Sequence, residues 1–183
     1  DLLDVYARRI ELEQDPEVRL EIAYRRAQLF AEALNDSDKA IEAFEGIIDE
    51  YVVDQVDACR DLESLYESES RWPELGQRWE RRIEANPESH EELAALKFRL
   101  GRVCESQMQD KPRAVELYRE VLSLLAEHDG SKARLEQLLD DDEVAAEASQ
   151  VLEPIYEMSE DWGPYVKALR VQHRFSRAPQ QKL

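Results

Sequence analysis

The sequence predicts an all-α chain of stacked helix pairs, and three observations carry that prediction. Sliding the chain by about 74 residues lays Tyr24, Arg25, Ala27, Phe30, Asp36, Ala40, Glu42 and Phe44 onto Phe98, Arg99, Gly101, Cys104, Asp110, Ala114, Glu116 and Tyr118. Self-similarity at a fixed period marks an array of helical units, each unable to bury its apolar face alone. The composition agrees: 5 Gly and 7 Pro among 183 residues, with Leu, Glu, Ala and Arg abundant, favour helix. Apolar residues also recur at helical spacing along most of the chain.

The elements follow in order. Tyr6, Arg8, Arg9 and Ile10 repeat Trp79, Arg81, Arg82 and Ile83, so residues 1–13 read as the trailing half of a unit. Helix pairs follow over 15–51, 54–87 and 88–126. In the first, Asp15 and Pro16 cap a helix whose stripe runs from Val18 through Ile22, Ala27 and Phe30 to Leu34. After a turn at Asn35 and Asp36, Ala40, Ile41, Phe44, Ile47 and Ile48 line its partner to about Glu50.

The second pair uses Val56, Cys59, Leu62, Leu65 and Tyr66, turns at Glu69 to Arg71, and resumes with Trp72, Leu75, Trp79 and Ile83. Asn86 and Pro87 stop it. The third uses Leu93, Leu96, Leu100, Val103 and Cys104, turns at Asp110, and continues with Ala114, Val115, Leu117, Tyr118, Val121 and Leu122. His128, Asp129 and Gly130 break it. Residues 131–174 form an irregular last unit: Leu135, Glu136 and Leu138 repeat Leu62, Glu63 and Leu65, and so do Leu152, Glu153 and Ile155. An inserted helix from about Glu143 to Met158 accounts for the double match, with Pro154 expected to kink or split it. Residues 1–174 then make one repeat domain and 175–183 a basic tail.

Leu100, Gly101, Cys104, Ala114, Tyr118 and Val121 match in order the Leu, Gly, Tyr, Ala, Phe and Ala signature positions of the tetratricopeptide repeat. Ala27, Phe30, Ala40, Phe44 and Ile47 match all but the Leu, which is Arg26. The middle unit contributes Leu62, Tyr66, Trp72, Leu75, Trp79 and the closing Pro87, so the chain resembles this family throughout. Two units carry an extra turn residue, Glu63 replaces the expected Gly, and Leu75 the small Ala; the alternation resembles degenerate repeats of long bacterial tandem arrays. The resemblance implies a right-handed superhelix, an α-solenoid of about ten helices, whose first helices line a concave groove for peptides or partner helices. It implies no catalysis.

The family's best-defined pocket grips a C-terminal carboxylate with Lys, Asn and Arg. Carried over, its positions hold Tyr24, Arg25 and Gln28, then Arg60, Asp61 and Ser64, then Phe98, Arg99 and Arg102. The required Asn and Lys are missing, so a chaperone-tail clamp is rejected. What the resemblance leaves as candidate partner-binding residues is Tyr24, Gln28, Arg60, Ser64, Phe98, Arg99 and Arg102, where guanidiniums fork onto carboxylates and aromatics add apolar contact.

A formal charge of -18 argues against nucleic acid and anionic membrane surfaces, both of which need excess Lys and Arg. Acids crowd Leu135 to Val166, whereas Lys167, Arg170, Arg174, Arg177 and Lys182 meet no acid between Tyr165 and the end. That segregation, with the half-unit at the start, also suits end-to-end homo-oligomers. Asp140 to Glu143 lacks the sharp-turn Gly and interspersed oxygens of a cation loop. His90, His128 and His173 lack paired metal spacing and read as surface residues.

No nucleophile motif, Gly-rich phosphate loop or cofactor motif occurs, so catalytic, metal and cofactor residues are all expected to be none. Cys59 and Cys104 read as small core residues in a reducing compartment, which points to the cytoplasm. The expectation is a non-catalytic interaction scaffold, a piece of a longer tandem-repeat protein with a protein or peptide partner. A self-assembling structural module and an accessory domain of an enzyme are its alternatives.

Overall fold

The computed structural model describes residues 2–50, 56–85, 87 and 89–176. Among them stand ten α-helices and no strand: α1 (Leu2–Leu12), α2 (Pro16–Gln28), α3 (Ser37–Glu50), α4 (Val56–Ser68), α5 (Trp72–Glu84), α6 (His90–Ser106), α7 (Lys111–Leu124), α8 (Asp129–Leu138), α9 (Ala145–Met158) and α10 (Trp162–Ser176). The protein is all-α, as its composition and periodicity predict. Two compact units divide the chain, residues 1–75 and 76–183. Asn86 and the tail from Arg177 to Leu183 lie outside the described residues.

One turn design recurs. A residue in the left-handed region ends the first helix of a pair: Asn35 (φ 53°), Ser70 (56°), Gln109 (56°) and Glu160 (55°). The amide of the next residue then donates back to a carbonyl in the helix just left, Asp36 to Phe30 (2.9 Å), Arg71 to Tyr66 (2.8 Å), Asp110 to Cys104 (2.9 Å) and Asp161 to Tyr156 (3.0 Å). These bonds satisfy carbonyls that a helix end otherwise leaves open. Each receiving residue is buried. The same residue's own carbonyl opens the next helix, accepting from Ala40, Leu75, Ala114 and Tyr165 in turn. Asp36 and Asp110 add a side-chain cap, accepting from the amides of Lys39 (3.2 Å) and Arg113 (3.1 Å).

The extra residue in two of these turns is absorbed by widening the last helical turn. After α2 the backbone passes through a π-helical turn at Leu29–Ala33, where Leu34 donates to Leu29. After α6 the amide of Met108 reaches Val103. The expected helix to Leu34 is thus α2 plus this wider turn.

In the first unit, Ile22, Ala27 and Phe30 pack with Ala40, Ile41, Phe44 and Ile47, and α4 adds Ala58, Leu62 and Tyr66. Asp15 caps α2 through the Glu17 amide (2.9 Å), with Pro16 in the first turn. Helix α1 lies against α2 but has no fully buried residue.

In the second unit, Leu96, Leu100 and Cys104 of α6 meet Ala114, Leu117, Tyr118 and Val121 of α7. Gly101 permits their approach, since a Cβ there would stand 2.8 Å from the Tyr118 ring. Helix α7 already ends at Leu124, so His128, Asp129 and Gly130 do not break it but begin α8. His128 caps α8, its Nδ1 accepting from the Ser131 amide at 3.0 Å, and Asp129 and Gly130 form the first turn. The histidine is therefore a half-buried cap rather than a surface residue. Helix α9 runs unbroken through Pro154, which stands exposed, so the split does not occur. Its turn to α10 has the build of the α4 to α5 turn, which groups α9 with α10 and leaves α8 as the helix without a turn-mate.

Two substitutions test these constraints by urea denaturation. Gly101→Ala is expected to cost about 1–3 kcal/mol, because the added methyl meets a fully buried ring. Gln109→Gly is expected to stabilise the fold by about 0.5–1 kcal/mol, relieving a left-handed residue that carries a Cβ.

Candidate partner-binding site

In the first unit, α2 and α4 present neighbouring faces with a pocket of about 280 Å³ between them. Leu20 and the exposed Val56 supply apolar surface, and Glu17, Glu21 and Asp57 supply acid. Tyr24 closes one side. Its hydroxyl donates to Asp61 at 2.6 Å, and its ring meets the Phe44 edge with centroids 5.8 Å apart. Burial pushes the Tyr24 phenol up to about 12, with the bond to Asp61 and the negative charge of Asp61 and Asp57 adding to the effect.

Two cations temper this acid. Arg25 pairs with Glu21 at 2.5 Å and Arg60 with Asp57 at 3.0 Å, all four exposed and worth little in stability. Gln28 is half-buried on α2, and Ser64 is exposed on α4. Of the four first-unit candidates, the structure joins Tyr24 and Arg60 to one network through the Asp57 and Asp61 carboxylates.

The second-unit candidates serve differently. Phe98 is packed inward, its ring 4.8 Å from His128 and 5.8 Å from Tyr118, and a Cβ at Gly130 would come within 2.9 Å of it. Arg99 lies over the indole of Trp79 at 4.5 Å. Arg102 is exposed.

A second cavity, of about 310 Å³, escaped the sequence reading. It lies among α1, α2 and α3, with Ile10, Arg26, Phe30, Lys39, Glu42 and Glu50 among its lining. Arg26 and Lys39 both stand over the Phe30 ring, at 5.5 and 5.9 Å. The available signal was Arg26 itself, at the signature position where Leu is expected.

The acidic run after α8 is neutralised within the second unit. Asp140 pairs with Lys167 (3.6 Å), Asp141 with Lys111 (2.6 Å), and Asp142 with Arg174. Lys111 holds the Asp141 carboxyl below the usual range by its hydrogen bond. Among the described residues no group of three or more His, Cys, Asp and Glu is placed to hold a metal ion, and no helix is long and apolar enough to cross a membrane. Cys104 is buried, and desolvation pushes its thiol up to about 11.

Residues 21–51 match the family model described as tetratricopeptide repeat. They take in the later part of α2, its wide turn and α3. That stretch is a tetratricopeptide-like helix pair within an all-α chain. Repeats of this type are typically non-catalytic scaffolds for protein–protein interaction. The chain is also similar to the crystal structure of MamA, at 17% identity and a TM-score of 0.43, over 96% of this chain and 89% of that one. No curated protein matches it.

The Tyr24 network has a pH signature. Its phenol is raised from 10.0 to about 12 in the folded chain, so the stability it contributes is whole below 10 and is lost as the pH rises through 12. Urea midpoints across that window are expected to fall more steeply for the wild type than for Tyr24→Phe; parallel curves would refute the assignment.

Proposed function

We propose that this protein is a non-catalytic scaffold that binds a partner segment across the α2 and α4 face of its first unit. The observation that supports this reading is the pocket itself, which sets Leu20 and Val56 beside Glu17, Glu21 and Asp57. Such a surface suits a basic amphipathic helix or peptide, whose apolar residues meet the floor while Lys or Arg reaches the acids. Tyr24, held by Asp61 and Phe44, gives one wall a fixed geometry and lowers the entropy lost on binding. The reading differs from an acidic ligand on an arginine stripe, because Arg60 is already paired and Arg99 lies on Trp79.

Fluorescence anisotropy with a labelled Leu/Lys amphipathic peptide tests it. The wild type is expected to bind, with affinity falling as salt rises. Glu21→Lys with Asp57→Lys is expected to weaken binding at least tenfold. Preference for a Leu/Glu peptide, abolished by Arg102→Ala, would overturn the proposal and move the interaction to the second unit.

A further inference from the structure

Helix α10 has an outer face that is exposed among the described residues of its unit. Trp162 is 58% exposed, Val166 41% and Leu169 36%, and their spacing puts all three on one stripe of the helix. Tyr165 stands edge-on to Trp162, with centroids 5.8 Å apart, and steadies the indole. Arg170 and His173 fall on the same side of the helix and are exposed. From Tyr165 to Ser176 the helix carries no acid. Lys167 and Arg174 are engaged with Asp140 and Asp142, which leaves Arg170 as the exposed guanidinium beside the stripe.

This is a basic amphipathic helix on a protein of formal charge -18. Its face has the chemistry that the α2 and α4 pocket accepts: an aromatic and two aliphatic side chains for Leu20 and Val56, and a guanidinium for Glu17, Glu21 or Asp57. The outer face of α1 is the rival, with Leu2, Val5 and Leu12 exposed beside Arg8 and Arg9. It carries Asp4 and Glu11 on the same helix and lacks an exposed aromatic anchor, so its complementarity to an acidic pocket is poorer.

We infer that α10 of one copy docks in the α2 and α4 pocket of a second copy, so that the chain associates head to tail. The inference rests on the reading of that pocket as a partner-binding site. The contact joins two different surfaces, so a docked pair still offers one free α10 face on one copy and one free pocket on the other. Such heterologous contacts give rings or open filaments rather than closed dimers.

Sedimentation velocity across protein and salt concentration, with two variants, tests this. The wild type is expected to exceed monomer mass as concentration rises and to return toward monomer at high salt. Trp162→Ser with Leu169→Ser, which removes the helix face, and Glu21→Lys with Asp57→Lys, which removes the pocket, are each expected to remain monomeric while keeping wild-type circular dichroism. Mixed together they still hold one intact pocket and one intact α10 face, and are expected to form a heterodimer and stop there. Association that survives either variant, or that Val5→Ser with Leu12→Ser abolishes instead, would overturn the inference. A wild type that stays monomeric yet binds the Leu/Lys peptide would overturn it while sustaining the pocket as a partner site. A monomer that binds no peptide removes both.

Discussion

The fold depends on one backbone bond made four times, from the amide after a left-handed residue to a buried carbonyl near the end of the preceding helix. It ends one helix and aims the next. A helix end has open carbonyls and the following helix has open amides, and a single residue at each turn addresses both ends. The cost is a Cβ-bearing residue in a region of the backbone that disfavours it. The fold tolerates four such residues because each stands where the chain must reverse from one helix into the next.

Side chains near those turns carry a second regularity. Tyr66 donates to Glu45, Tyr118 to Glu105 and Tyr156 to Glu136, so a large ring fills the core while its hydroxyl is satisfied at the core's edge. Glu105 is held in turn by Arg134, which brings α8 into the same network. The phenols of Tyr118 and Tyr156 are raised by burial first and by their carboxylates second, so neither ionises in ordinary solution. Tyr24 follows the same chemistry with Asp61, and it is this structural bond that shapes one wall of the pocket.

Much of the fold was legible because it is local. Helical spacing, the Asp15 and Pro16 cap and small residues such as Gly101 report directly on backbone and packing, and they located the helix pairs closely. The extra turn residues were also visible, although their accommodation by a π-turn was not, since a widened turn keeps the apolar spacing of an ordinary helix nearly intact. Pro154 does not split its helix because a proline's ring clash and lost bond can be borne at one exposed position when the rest of the helix is packed. His128 misled because a side-chain cap depends on where the next helix begins. The site was less legible than the fold. Position in the helix named Tyr24, Arg60 and Phe98 alike, but whether such a residue faces a groove or a neighbouring helix depends on contacts distant in sequence, such as Gly130 with Phe98.

The turns carry a consequence for how quickly the chain reaches this state. Every closing bond spans five or six residues, so a helical hairpin can form from a short stretch before any distant segment arrives. Folds dominated by such local contacts search little and fold in roughly microseconds to milliseconds. A repeat chain of this kind is therefore exposed only briefly with its apolar stripes open.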